Sequence, residues 1–235
     1  MGATSPEIIQ RPTTAFGSRE GAPPCLIVLH YTAMESAGAA LERLCDPEIE
    51  VSAHYLISET GETVQMVDES ERAWHAGAGR WGACDDVNTH SIGIELANRG
   101  DHPFGEPQMA ALEGLLAAIM ARHGIPAEHV IGHSDIAPGR KIDPGPRFDW
   151  ARLARRGLSI WPLGDAKPSD FARDAAAFGY PVADVGEGLV LEAFRLRFRP
   201  WADGPVSDAD RAAMAELAAR WPVQAVRGEP RVKRR

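Results

Sequence analysis

The chain has no apolar run that approaches the length of a bilayer crossing, which argues against a membrane-spanning helix. Its first residues, "MGATSPEIIQRPTTAFGSREG", lack the cationic start and apolar core of a secretory leader, and no cysteine for lipid attachment stands among them. Cysteine is scarce. Cys25, Cys45 and Cys84 are odd in number and show no paired spacing, which fits a reducing compartment better than a disulfide framework. Basic charge is in deficit: 33 acidic residues against 25 basic ones give a net charge of -8, which argues against a general nucleic-acid binder. The closing "RVKRR" is too short to reverse this and reads as a disordered, solubilising tail. Internal repeats and low-complexity segments are absent as well. The expected location is the cytoplasm, with periplasmic or outer-membrane association as the alternative if a leader has been removed.

What is present is the composition of a globular protein, with 44% hydrophobic and 25% charged residues and a mean hydropathy of -0.23. A length of 235 residues holds one good-sized domain and a small one. "CLIVLHYT" is a continuous apolar run with the pattern of a buried strand. "VSAHYLIS" and "ETVQMVDE", joined by "ETGE", predict a hairpin, and "HSIGIELAN" and "HVIGH" two further strands. Between the last two, Met109, Leu112, Leu116, Ile119 and Met120 recur at helical intervals from Glu106 to His123, with Pro107 near the start and Gly124 and Pro126 beyond the end. Interleaved strands and helices predict an α/β fold, a mixed central sheet flanked by helices.

"GLSIWPLGDAKPSD" reads as a domain linker. Three short helical patterns follow: one near "SDFARDAAAFGY", one through Leu191, Phe194 and Phe198, and one opened by Ser207 with Asp210 three residues on. Each is too short to bury much alone, so a compact C-terminal three-helix domain is expected. The division is 1–162 for the α/β domain, 163–225 for the helical domain and 226–235 for the basic tail.

The chemistry concentrates at strand ends. His30 closes "LIVLH", in which residues 26, 28 and 30 share one face, and His133 closes "HVIGH" in the same way. Asp143 follows His133 by ten residues within "GHSDIAPGRKIDPG". Two imidazoles and one carboxylate, with a fourth position left to water, are the donor set of an open catalytic zinc site. Asp135 is the competing carboxylate; two residues from His133, it is better placed to orient the loop. Such a site wants a general base, and Glu95 shares a strand face with Gly93 in "SIGIEL", where an acid is costly without a purpose or partner. Lys141 lies two residues before Asp143 and is a candidate oxyanion partner, although a lone lysine there would be ordinary.

Taken in order, "LIVLHYTA", "VSAHYLIS", "AWHAG", "NTHSIGIELANRG" and "GHSDIAPGRKIDPGPRFDW" resemble the zinc-dependent N-acetylmuramoyl-L-alanine amidases of the AmpD and AmiD type. The likeness runs from about Ile8 to Pro162, and "VLEAFRLRFRP" is similar to the repeat-helix motif of a peptidoglycan-binding-like domain in the AmiD branch. The resemblance implies one zinc ion on His30, His133 and Asp143, a catalytic Glu95 and a catalytic Lys141. It also implies His75 and Asn88 as substrate-binding or supporting residues, and peptidoglycan fragments as partners. Trp74 of the "AWHAG" motif reads equally as a groove residue or as plain core, and His54 as a packed, hydrogen-bonded histidine. The chain departs from the AmpD pattern before "SIGIEL", where an arginine-bearing loop is replaced by "GACDDVNTH" with Asp85 and Asp86. The implied reaction is hydrolysis of the amide between N-acetylmuramic acid and L-alanine, in cell-wall recycling. The alternative is a non-catalytic muropeptide sensor or wall-binding protein on the same fold.

Overall fold

The computed structural model of the chain describes residues 8–223. β1 (Ile8–Gln10) and β2 (Phe16–Ser18) are followed by β3 (Leu26–Tyr31), α1 (Ala37–Leu44), β4 (Tyr55–Ile57), β5 (Thr63–Gln65) and β6 (Glu71–Ala73). Next come α2 (Val87–His90), β7 (Ser91–Leu96), α3 (Glu106–His123), a 3-10 turn at Ala127–His129, β8 (Val130–Gly132), α4 (His133–Ile136) and α5 (Trp150–Arg155). The chain then forms α6 (Phe171–Phe178), α7 (Val182–Val185), α8 (Glu187–Phe198) and α9 (Asp208–Arg220).

Six strands form one mixed sheet in the order β1-β5-β4-β7-β3-β8, and β2 pairs with β6 in a separate two-stranded ribbon. β4, β7, β3 and β8 run parallel, while the predicted hairpin supplies the antiparallel pair, β4 on β5. Its strands are shorter than the sequence suggests. Ser52 N–H turns away to Trp74 O, while His54 is shared, its N–H donating to Gly93 O of β7 and its carbonyl accepting the Met66 N–H. Helix α3 keeps its predicted bounds, with Pro107 in its first turn and Gly124 ending it in the left-handed conformation at φ 66°. Helix α9 opens with the expected Ser207–Asp210 capping box.

The alternation in β3 sorts the core onto two faces of the sheet. Ile27 and Leu29 pack with Leu112, Leu116 and Ile119 of α3 and Leu153 of α5. Leu26 and Val28, on the other face, pack with Ile131 and with Phe171, Phe178, Phe194, Phe198, Met214 and Leu217. Each such buried side chain contributes about 1.5–3 kcal/mol. Where three C-terminal helices are expected to lean on one another, the described residues form four, α7 being a single turn. Their apolar faces bury against the sheet as well as each other, because helices this short cover too little surface among themselves. Residues 224 and 225 and the basic tail 226–235 lie outside the described residues. No described helix is long and apolar enough to cross a membrane.

Candidate metal centre and active site

Register assembles the site. In the parallel pair β3/β7, His30 stands opposite Glu95, and in the pair β3/β8, Leu29 stands opposite Gly132, the residue before His133. Three adjacent parallel strands thus deliver His30, Glu95 and His133 to one edge, outside their carboxyl ends. One local reading changes here: β8 stops at Gly132, and His133 opens the short helix α4 instead of ending the strand. The cause is Asp135, whose carboxylate accepts the Gly132 N–H at 2.8 Å and turns the chain into a helical start.

The loop beyond α4 brings Asp143 back over the two histidines. His30 Nδ1 lies 2.9 Å from His133 Nδ1, and each of these nitrogens lies 3.0 Å from Asp143 Oδ2. All three residues are buried. The hydrogen bonds made by the far ring nitrogens define the tautomers. His133 Nε2 sits 3.0 Å from the Ala76 carbonyl, which can only accept, so Nε2 carries the proton and Nδ1 is a lone pair. His30 is fixed by a longer relay. The Ser91 hydroxyl donates to Val87 O at 2.5 Å and accepts from His75 Nε2–H at 3.1 Å. His75 Nδ1 is then the acceptor for His30 Nε2–H at 3.0 Å, which leaves His30 Nδ1 as a second lone pair. Burial first, and the neighbouring His133 second, pull the His30 imidazole down to about 4, so it is neutral at neutral pH.

Two imidazole lone pairs and a carboxylate oxygen therefore face one another at about 3 Å. Without a cation this arrangement is repulsive; with one it is a ligand set. Ligand atoms held at ~2.0 Å from a tetrahedral zinc stand ~3.3 Å apart, so the triangle needs only a slight expansion to accept that ion. The N2O donor set, with imidazole protons anchored on a carbonyl and a second imidazole, fits zinc in both its donors and its outer contacts.

Glu95 and Lys141 line the same cavity of about 570 Å³ as His30, His133 and Asp143, together with Tyr31, Met34, Arg43, Val51 and His75. The Glu95 Oε2 atom is buried with no hydrogen-bond partner among the described residues. Burial, reinforced by Asp143 and opposed by Lys141, pushes its carboxyl up to about 8. A carboxyl so placed takes and returns a proton near neutral pH. A larger cavity of about 820 Å³, lined by Arg19, Tyr55, Glu69 and Arg122, lies elsewhere. Its charges are spent on one another, and it holds no such converging set.

The remaining sequence candidates fall into place around this core. His75 lines the cavity and packs on Gly93, where an added Cβ would stand 2.4 Å from the imidazole Cγ; that glycine exists to admit the ring. Asn88 accepts the backbone N–H groups of His75 and Ala76 at 3.1 and 2.8 Å, so its amide oxygen holds the "HAG" turn. His54 is fully buried and accepts the Gly93 N–H at 2.9 Å, the packed role expected of it. Trp74 is half-buried, with the Arg72 guanidinium 4.2 Å from its ring. Asp135 stays out of the metal triangle. Its carboxylate binds Gly132 N–H, Tyr180 O–H at 2.6 Å and Arg197 Nη1 at 2.8 Å. Sequence reasoning missed Ser91 and Arg197. The available signals were a serine heading an otherwise apolar strand and arginines inside the aromatic stripe of "AFRLRF".

A family model described as Amidase_2, N-acetylmuramoyl-L-alanine amidase, matches residues 20–146 and so includes every residue of the triangle, Glu95 and Lys141. The chain belongs to this family. It is 36% identical to the N-acetylmuramoyl-L-alanine amidase AmiD of Escherichia coli over 227 residues, 81% of this chain and 80% of that protein. It is 37% identical to the 1,6-anhydro-N-acetylmuramyl-L-alanine amidase AmpD of the same organism over 147 residues, 55% of this chain and 80% of that protein. Among solved structures it is similar to E. coli AmiD in complex with anhydro-N-acetylmuramic acid-L-Ala-D-γ-Glu-L-Lys. That match has a TM-score of 0.75 and 34% identity, and covers 89% of this chain and 92% of that one. It is similar also to AmpDh3 of Pseudomonas aeruginosa, with a TM-score of 0.77 and 31% identity, covering 91% and 96%. The amidase fold of these relatives is the mixed sheet and flanking helices described above.

Proposed function

We propose that this amidase is a zinc enzyme that hydrolyses the amide between N-acetylmuramic acid, the 1,6-anhydro form included, and L-alanine of peptidoglycan stem peptides, in cell-wall recycling. The observation that carries the reading is the convergence of two imidazole lone pairs and a carboxylate oxygen beside Glu95, whose buried Oε2 has no partner among the described residues. His30, His133 and Asp143 would hold the zinc, which when bound supplies Lewis-acid activation of water and of the amide carbonyl.

The protein's own residues do the rest. Glu95 takes a proton from the attacking water as the new C–O bond forms and delivers it to the amide nitrogen as the C–N bond breaks. Lys141 offers its ammonium to the oxyanion of the tetrahedral intermediate. His75 holds His30 in the ligating tautomer and forms a wall of the cavity. Arg43, at the end of α1, lines that cavity too and adds a second cation. The pair suits an anionic stem peptide; the γ-linked glutamate in the AmiD complex keeps a free carboxylate. A cytoplasmic location belongs to the same proposal, supported by the free thiols of Cys25 and Cys45.

The test is mass spectrometry of zinc-loaded protein incubated in parallel with a soluble anhydromuropeptide and with intact sacculi. Free stem peptide from the soluble substrate alone is the expected result. Release from both would keep the amidase chemistry and overturn the confinement to recycling. Release from neither, with zinc bound, would favour a muropeptide sensor.

A further inference from the structure

The family match ends at residue 146, yet the loop that carries two of the three ligands is held from beyond that point. Arg197 of α8 is buried together with Asp135, with side-chain exposures of 1% and 0%. Its Nη1 donates to Asp135 Oδ2 at 2.8 Å, and its Nη2 donates to Val130 O at 2.9 Å and to Ser159 Oγ at 3.3 Å. Val130 lies three residues before His133 and Asp135 two after it, so one guanidinium grips the chain on both sides of the ligand. The same Asp135 Oδ2 accepts the Gly132 N–H that starts the helical turn, while Oδ1 accepts the Tyr180 hydroxyl. The guanidinium is itself held over the Trp150 ring, 4.4 Å from its centroid.

A second contact from α8 reaches the far part of the loop. Gly139 has φ 75°, and a Cβ there would stand 2.7 Å from Leu189 Cδ1, so the loop backbone lies directly on that leucine. Lys141 follows two residues on and Asp143 four.

We propose that Arg197 is a positioning residue for the metal: acting through Asp135, it fixes the turn that aims His133 Nδ1 into the triangle, with Tyr180 and Leu189 completing a brace from the C-terminal helices. The proposal rests on reading the triangle as a metal site. A buried ion pair need not add net stability, because desolvation offsets much of the attraction. Its contribution here is geometric. Outer contacts that orient ligands typically govern metal affinity by about 10- to 100-fold.

The experiment is zinc affinity of the full chain, measured by competition with a chromophoric chelator, alongside far-UV circular dichroism and melting of the zinc-free protein. Arg197→Met keeps the packing on Trp150 and removes the grip. A fold retained with zinc affinity reduced about 10- to 100-fold is expected, with Arg197→Lys recovering part of the loss. A lower melting temperature with unchanged zinc affinity would reduce Arg197 to a structural residue and overturn the proposal. Should Arg197→Met not fold, Tyr180→Phe decides, because it removes a single hydroxyl from the same carboxylate. A loss of several-fold in zinc affinity is expected there, and no change would overturn the brace. A wild-type chain that takes up no zinc at all would instead strike down the metal assignment, a result told apart by that control.

Discussion

Two glutamates in this protein, each with an enclosed carboxylate oxygen, have opposite fates. Glu69 is 8% exposed. Burial alone would raise its carboxyl, but hydrogen bonds from Arg122, Tyr55 and His123 override that and hold it near 2. Both of its oxygens are taken, one by the Tyr55 hydroxyl at 2.7 Å and Arg122 at 2.6 Å, the other by Arg122 and His123. Glu95 is half-buried at the carboxyl ends of the parallel strands, with Oε2 enclosed and unpartnered among the described residues, and its desolvation pushes the carboxyl up to about 8. Burial raises both carboxyls. One is compensated within the fold and is structural; the other has an oxygen without a partner among the described residues, which fits the acid–base role proposed for it. The same contrast separates the two cavities, since the larger one is surrounded by satisfied charges and the smaller one by lone pairs that face each other.

The contrast can be broken from either side. The largest stability effect is expected at the satisfied end. Glu69→Gln strips the charge from Arg122 and His123 and should cost about 2–3 kcal/mol in denaturant unfolding, a figure set below the usual buried-pair cost because Arg122 is half-exposed. Zinc affinity should stay as in the wild type; if it fell in step with stability, the two regions would not be separable. A smaller effect is expected in the relay that sets the His30 tautomer. Ser91→Ala removes the acceptor of His75 Nε2–H and should weaken zinc binding by about tenfold, with little change in the melting of the zinc-free protein. Equal zinc affinity in that variant would show that His30 is oriented without the relay.

The smallest effect sharpens the contrast through pH. A carboxyl raised to about 8 in the folded state binds its proton more tightly folded than unfolded. Its contribution to stability is therefore present below the ordinary glutamate range and is lost as pH rises toward 8. Zinc-free Glu95→Gln should melt close to the wild type at pH ~4.5 and above it at pH ~8, whereas the Glu69→Gln penalty should hold across that range and fade only as pH falls from about 4.5 toward about 2. Parallel melting curves for Glu95→Gln and wild type across that range would remove the strain assigned to Glu95.

Much of this contrast could be read before the fold was known. An acid in the apolar run of β7 and a histidine near the end of β3 are visible from period-two alternation, and α3 is bounded by Pro107 and Gly124 as its pattern demands. The triangle of His30, His133 and Asp143 came from donor chemistry and from the family resemblance, and register supplied what neither could give, the pairing that sets His30 beside Glu95. Three-residue strands such as β1, β2 and β6 carry too few alternations to be read at all. The C-terminal helices looked self-contained because their apolar stripes show no destination; only tertiary structure reveals Leu26, Val28 and Ile131 beneath them. The sequence marks Asp135 as a loop-orienting residue, but its partner Arg197 lies 62 residues away, and no local pattern joins the two.

The most direct test of the central claim is the release of free stem peptide from a soluble anhydromuropeptide by zinc-loaded wild-type protein and by zinc-loaded Glu95→Gln, with the zinc content of both determined. One zinc per chain is expected in each protein, with equal zinc affinity and a rate in the variant lower by about 10²–10⁴-fold. A variant that holds its zinc and releases peptide at the wild-type rate would remove Glu95 from the chemistry and contradict the account.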